Sequence, residues 1–321
     1  MNNELLSKVR PKSFNEFFGQ KQIVDELKVY VYSANKQNKC LDHILLVGPS
    51  GMGKTSLSYV ISEEMKSKIR VINAPMIESV QDLIEILASI KENEIFFIDE
   101  IHRLDKKIEE ILYSVMDDFI ININYKSSEK TKVISVKLPH FTLIGATTLD
   151  GYISVPLRDR FVIKFHFENY SLDDLNNIAL LNAPKFDVNF ESKEVSFEFI
   201  KRVKNNPRIL NNLLKRLSDY MLYFEKKSAN LDFLLEFFKF VKIDYYGLTN
   251  FDRKIIKILY EVFLSEPVSL ESLASVLNEN VVNIRENYEP YLVNVGFIQR
   301  TRRGRMLTKK GQEFYYKNIR D

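Results

Sequence analysis

The stretch Gly48 to Thr55, GPSGMGKT, constrains this chain more than any other. It reads Gly, four residues, Gly, Lys, Thr, between the apolar run His43-Ile44-Leu45-Leu46-Val47 and a helix-compatible run from Ser56 to Lys66. Strand, glycine-rich loop and helix in that order open a parallel α/β unit. In such a turn the backbone around Gly48, Gly51 and Gly53 and the helix start at Ser56 surround a polyphosphate, Lys54 reaches the β- and γ-phosphates, and the Thr55 hydroxyl ligates Mg2+. A Lys-Thr pair at this position has no packing purpose, so a turn that binds nothing is the weaker reading.

The chain then alternates. Arg70-Val71-Ile72-Asn73 reads as a short strand, Ser79 to Lys91 as an amphipathic helix, and Ile95 to Ile98 as a buried strand that runs into Asp99-Glu100. Two acids ending an apolar strand are costly unless they serve a site. Asp99 is expected to hold the Mg2+ shell, and Glu100 to orient and polarise the water attacking the γ-phosphate. The pair falls 45 residues after Lys54 and favours an ATP hydrolase over a passive nucleotide binder. Ile108 to Met116 reads as a helix. In Asp117 to Leu138, Phe119, Ile121, Ile123 and Tyr125 alternate before a polar turn, and Ile134, Val136 and Leu138 alternate after it, as in an inserted hairpin. Ile121, Ile123 and Tyr125 are candidate partner contacts, although the same alternation fits a face that covers its own domain. A core strand at Phe141 to Gly145 leads into GATTLDGYISVPLRDRF. There Thr147-Thr148 can hold the attacking water or sense the γ-phosphate, and Arg158 and Arg160, beyond Pro156, can reach a neighbouring subunit's nucleotide.

The length of 321 residues suggests two or three domains with real cores. A single cysteine, Cys40, excludes an intramolecular disulfide framework, and the histidines have no metal-ligand spacing, so a reducing cytoplasm is the expected home. No apolar run has signal-peptide or membrane-spanning length, and a soluble protein is expected. In the lead-in RPKSFNEFFGQ, Pro11 sets an extended entry, Ser13 can cap a short turn, and Gly19 ends it. Gln22 to Ser33 then resumes at helical spacing with Ile23, Leu27 and Tyr30 on one face, a segment that can lie over a nucleotide base or pack on the sheet edge.

Past Asp173 the pattern is helical: Asp173 to Leu181, Glu194 to Lys204, Arg208 to Glu225 and Leu231 to Lys242. Asp244 to Thr249 reads as a boundary. Helices at Asn250 to Leu264, Ser269 to Leu277 and Val281 to Val295 follow, then strands at Phe297 to Thr301 and Met306 to Thr308 around a turn at Arg302 to Arg305, and a last helix at Gln312 to Asn318. That order is a winged helix. Residues 285–321 carry a net charge of +5, leaving −2 for the rest. Arg300, Arg302, Arg303 and Arg305 are the candidate phosphate-backbone contacts, giving sequence-independent, salt-sensitive duplex binding.

GPSGMGKT, FFIDEIH, GATT and PLRDRF, with RPKSFNEFFGQ in front, resemble the AAA+ ATPases. With the inserted hairpin and the C-terminal YEPYLVNVGFIQRTRRGR, the chain resembles the RuvB family of Holliday junction branch migration motors over nearly its whole length. The resemblance implies an α/β P-loop AAA+ ATPase domain with inserted β-hairpin over residues 1–168, an all-α lid over 169–245 and a winged-helix domain over 246–321. It implies that Thr148 is sensor 1, Arg160 an arginine finger acting across a ring, Arg208 sensor 2, and Tyr170 the tyrosine against the adenine. ATP and Mg2+ are the implied cofactors. The implied partners are duplex DNA, the Holliday junction, a RuvA-type junction-binding protein at the hairpin, a RuvC-type resolvase and further copies in a hexamer. The chain departs from the family's usual residues at Ser50, Met52, Leu149-Asp150, Asn122, Asn124, Tyr125 and Arg302. A clamp-loader-like or initiator-like switch and a nucleotide-regulated transcription factor remain the alternatives.

Overall fold

The computed structural model describes residues 8–126 and 131–320, with residues 123–126 and 131–133 described by backbone alone. The chain divides into two compact units, Met1–Leu175 and Asn176–Asp321.

The first unit is built on a five-stranded parallel sheet in the order β2-β3-β6-β1-β7. Its strands are β1 (Ile44–Val47), β2 (Ile69–Asn73), β3 (Ile95–Asp99), β6 (Thr142–Thr147) and β7 (Ile163–His166). The three central strands are apolar runs buried on both faces, whereas the edge strand β7 alternates buried and exposed positions. Helices α1 (Lys21–Gln37), α2 (Lys54–Glu64), α3 (Val80–Ala88), α4 (Lys106–Asp118) and α5 (Val155–Asp159) belong to the same unit. Helix α1 buries Ile23, Val24, Leu27, Val31 and Ala34, so the apolar stripe passes through Val31, and the neighbouring Tyr30 is exposed rather than part of that face. Ser13 precedes a 3₁₀ turn at Phe14–Glu16, but its side chain makes no capping bond.

The inserted hairpin is an antiparallel pair, β4 (Ile120–Lys126) with β5 (Thr131–Lys137). Ile121 belongs to the core, not to a partner face: it is 1% exposed and clusters with Leu112, Val115, Leu138 and Phe141. The hairpin leaves α4 directly, and its first inward position is used to anchor it. Ile134 and Val136 are the exposed apolar positions, at 50% and 39%. The side chains of Ile123 and Tyr125 lie outside the described residues.

The second unit starts with α6 (Leu172–Asn182), which carries the chain into it, followed by α7 (Lys193–Ile200), α8 (Pro207–Tyr223) and α9 (Leu231–Phe240). Helix α7 stops at Ile200, short of the expected Lys204: the Arg202 and Val203 amides bond three residues back, to Phe199 and Ile200, and Lys204 and Asn205 then take left-handed backbone angles. Then come α10 (Asn250–Glu261), α11 (Leu270–Leu277), α12 (Val281–Asn283), α13 (Glu289–Asn294), β8 (Ile298–Thr301), β9 (Gly304–Leu307) and α14 (Lys309–Asn318). Lys204 Nζ meets the buried Asp252 carboxylate at 2.6 Å, which ties the end of the helical segment to the start of the winged helix. The helix expected over 281–295 is interrupted by a π turn at Ile284–Tyr288. Pro290 cannot donate to the carbonyl of Glu286, which accounts for the widened hydrogen-bond ladder just before it.

His43, at the foot of β1, shows how tightly the first unit is specified. Its Nδ1 accepts from Leu143 N–H at 2.9 Å, and its Nε2 faces the Met116 carbonyl at 3.3 Å. Burial holds its pKa below the ordinary 6.5, so the unfolded chain takes up the proton first. The stability this histidine contributes is complete above pH 6.5 and is lost as pH falls through the lower folded value. Thermal unfolding between pH 7.5 and 5.5 is expected to show a decline of at most about 1.4 kcal/mol per pH unit from this group. His43→Asn keeps an acceptor but takes no proton, and should flatten that part; an unchanged slope would count against the assignment.

Candidate nucleotide site and nucleic-acid face

Because β6 lies between β3 and β1, the sheet brings three segments to one place at its carboxyl edge: the loop after β1, Asp99-Glu100 at the end of β3, and Thr147-Thr148 at the end of β6. The seam is closed by Gly48 N–H donating to the Thr147 carbonyl at 3.0 Å. Crevices beyond the carboxyl ends of parallel strands are where such sheets bind ligands. The loop runs with positive φ at Gly48, Gly51 and Gly53, and α2 begins at Lys54 with no side chain capping it. Its first amide groups are thereby turned to the loop's concavity.

The residues fit a nucleoside triphosphate. Lys54 is buried, and its Nζ donates to the carbonyls of Gly48 at 2.5 Å and Pro49 at 2.9 Å, oxygens of the loop itself. The Thr148 hydroxyl is buried with no hydrogen-bond partner among the described residues, although it sits at a strand end beside the loop. A buried hydroxyl without a partner costs about 1–3 kcal/mol, and a ligand oxygen would remove that penalty. Thr55 and Ser56 occupy the first turn of α2. Asp99 Oδ1 accepts from the Glu100 N–H at 3.0 Å, while Glu100 itself takes a left-handed backbone angle, φ 54, a strained placement typical of functional positions.

His102, which the sequence reading left aside, joins the two acidic and threonine segments. Its Nε2 is 3.5 Å from Glu100 Oε2, and its Nδ1 is 2.9 Å from Thr147 Oγ1, which also accepts from Leu149 N–H at 2.9 Å. The signal was its place as the last residue of FFIDEIH, on the short turn that follows Glu100.

Tyr170, which the resemblance sets against the adenine, lies beside the loop. Its hydroxyl donates to the Met52 carbonyl at 2.9 Å, and burial raises its pKa, keeping it a neutral donor. The other face of the lock is Gly19, where an added Cβ would come within 2.4 Å of the Tyr170 ring. Gln20 pins the same strand exit by donating to the Glu168 carbonyl at 2.7 Å and accepting from its N–H at 3.0 Å. The lead-in therefore packs on the loop's flank through one glycine and one amide, a pairing that no local spacing announces.

Arg160 is not gathered into this group. Its Nε donates to Asp117 Oδ2 at 2.9 Å and its Nη1 to the Pro156 carbonyl at 2.8 Å, and it lies over the Tyr113 ring. Arg158 is paired with Asp150 at 3.8 Å. Arg208 opens α8 in the second unit, with its N–H bonded to the N-cap Asn206 side chain at 2.9 Å.

In the wing, Arg302 and Arg303 form the turn, and both are exposed. Arg305 is a strand residue, contrary to the expected turn. Its N–H and carbonyl pair with Val268 at 2.7 and 2.9 Å, and Gly304 lies so close to the Val268 carbonyl that an added Cβ would stand 2.0 Å from it. Arg305 and its cross-strand neighbour Arg300 both bond the carboxylate of Glu289.

Fold and site together define a P-loop ATPase that carries a helical segment and a winged helix. The family model of the Holliday junction DNA helicase RuvB P-loop domain matches residues 9–167, and that of the RuvB C-terminal winged helix domain matches residues 245–316. The chain is 40% identical to the Holliday junction branch migration complex subunit RuvB of Fusobacterium nucleatum, covering 98% of this chain and 94% of that protein. It is 41% identical to the RuvB subunit of Oenococcus oeni over 95% of this chain and 90% of the relative. The solved Thermotoga maritima RuvB Holliday junction branch migration motor superposes with a TM-score of 0.87 at 36% identity, covering 98% of this chain and 100% of that one. The chain belongs to the RuvB family.

Three variants test the site. Glu100→Gln should keep nucleotide affinity while kcat falls on the order of 10²- to 10⁴-fold, as loss of a general base requires; normal turnover would remove Glu100 from its role. Gly19→Ala should destabilise the first unit by about 1–3 kcal/mol through displacement of the Tyr170 ring. Tyr170→Phe, which removes one hydrogen bond, should cost about 0.5–1.5 kcal/mol. Thermal unfolding measures both, and the reverse ranking would refute the lock.

Proposed function

We propose that this chain is the ATP-driven motor that moves duplex DNA and drives branch migration of Holliday junctions in recombination and repair. What carries the reading is that one chain is similar to RuvB proteins over both its ATPase and winged-helix segments, with the loop lysine, the strand-end acids and an unsatisfied strand-end threonine at adjacent strand ends.

Lys54 and the loop amides hold the triphosphate, Thr55 and Asp99 hold Mg2+, and Glu100 orients and deprotonates the attacking water. The metal ion supplies charge neutralisation at the phosphate oxygens. Thr148 senses the γ-phosphate, Tyr170 borders the adenine, and Arg208 acts as sensor 2. Arg160 acts in trans on a neighbouring subunit's nucleotide, which requires it to leave Asp117 or to carry that pairing into the interface. Segments 1–168, 169–245 and 246–321 act as ATPase, lid and DNA-binding domain, assembled as a hexameric ring in the cytoplasm. The hairpin, on which Ile134 and Val136 are exposed and for which Ile123 and Tyr125 are the sequence candidates, receives a RuvA-type junction binder, and a RuvC-type resolvase acts on the same junction.

The decisive experiment is ATP-dependent dissociation of a synthetic four-way junction, with and without a RuvA-type protein. Dissociation that disappears in Lys54→Ala is expected. Tight DNA binding without movement in either mixture would favour a loader or initiator switch instead. Arg160→Ala subunits, inactive alone, should recover ATPase activity when mixed with Lys54→Ala subunits, because an intact finger and an intact pocket then meet at one interface. Recovery in no mixture would argue against action in trans.

A further inference from the structure

Glu289, in the YEPYL segment, is 1% exposed, yet it lies beneath a basic wing with no lysine or arginine of its own helix bonded to it. Its Oε1 accepts from Arg300 Nε at 2.6 Å and from Arg305 Nε at 3.0 Å, and its Oε2 accepts from Arg305 Nη2 at 3.3 Å. Arg300 and Arg305 stand directly opposite each other across β8 and β9, an arrangement of like charges that is destabilising without a counter-ion. The π turn at Ile284–Tyr288 ends where Glu289 begins, and such single turns recur at functional positions.

The two arginines are used differently. Arg305 is bidentate on the carboxylate, its side chain is mostly buried, and its backbone is locked to Val268. Arg300 gives only Nε to Glu289, its side chain is 55% exposed, and its Nη groups make no hydrogen bond to any described residue. A guanidinium fixed through Nε presents its remaining fork without the usual loss of rotamer entropy on binding a phosphate.

We infer that Glu289 is a positioning residue for DNA: it holds Arg300 as a preset phosphate fork and neutralises Arg305, so that Arg300 and not Arg305 joins Arg302 and Arg303 on the backbone. This rests on the reading of the winged helix as the duplex-binding module. It makes a prediction opposite in sign to simple electrostatics. Glu289→Gln removes one negative charge, which by electrostatics alone would tighten DNA binding and steepen its salt dependence. Loss of positioning weakens it.

The test is fluorescence anisotropy of the full chain on a labelled duplex of arbitrary sequence over a salt series, with thermal unfolding of each variant. Glu289→Gln is expected to bind roughly tenfold more weakly, with a salt slope smaller by about one. Arg300→Lys should lose as much as Arg300→Ala, since an ammonium cannot bond Glu289 and a phosphate with one rigid fork. If Glu289→Gln does not fold, the Arg300 pair carries the test. Binding by Glu289→Gln as tight as wild type or tighter, or full retention by Arg300→Lys, would overturn the inference while leaving the DNA-binding reading in place. A wild-type chain that binds no duplex would remove that reading and the inference with it.

Discussion

The parallel sheet is buried on both faces, and that burial dictates where chemistry can occur. With helices covering β1, β3 and β6, the strand interiors can carry only apolar side chains, and polar groups can emerge only at the strand ends. The order β3-β6-β1 then brings three sequence-distant segments together at one edge. The acids at the end of β3, the threonines of β6 and the loop after β1 need no further device to meet. Their fine placement comes from hydrogen bonds across the seam, through His102 between Glu100 and Thr147 and through Gly48 N–H to the Thr147 carbonyl. A substitution that tilts β6 therefore disturbs the acids, the threonine pair and the loop at once.

Charge is governed by the same rule of available partners. The arginines singled out in the sequence are given unequal standing by the fold. Arg302 and Arg303 are exposed on the wing turn, whereas Arg305 is committed to Glu289, and Arg160 and Arg158 are engaged by Asp117 and Asp150 within their own unit. A guanidinium whose fork is itself engaged offers less to a phosphate than one whose Nη groups are open, because its pairing energy must be given up first. The net charge of the C-terminal segment thus overstates the field a duplex would meet at the wing.

The fold class was legible in the sequence because its determinants are local. Apolar runs of strand length, a glycine loop and helical stripes depend on neighbours a few residues away, and their placement agrees with the structure to within a few residues. The site acids and the loop lysine were legible for the same reason. Contacts between distant segments were not. Nothing near Gly19 announces that its missing side chain admits the Tyr170 ring, and nothing near Glu289 announces that it will neutralise a cross-strand arginine pair. The tyrosine at 30 and the isoleucine at 121 were misplaced because one turn of helix or one face of a hairpin can be read two ways until a partner is present. Val31 and the core beside α4 settle those choices.

The hairpin illustrates the last step from fold to function. An insertion that served only an outside partner would have no reason to place its first inward residue in the core, where it contributes on the order of 1.5–3 kcal/mol if fully buried. Ile121 is anchored there, and Leu138 closes the other end of the insertion in the same cluster, with its N–H donated to the Phe119 carbonyl at 2.7 Å. The base is therefore part of the ATPase unit, while Ile134 and Val136 remain exposed further along. Because α4 follows the Asp99-Glu100 strand end and runs straight into β4, that strand end and the base of the hairpin are joined by one continuous packed cluster, which a loosely tethered insertion would lack.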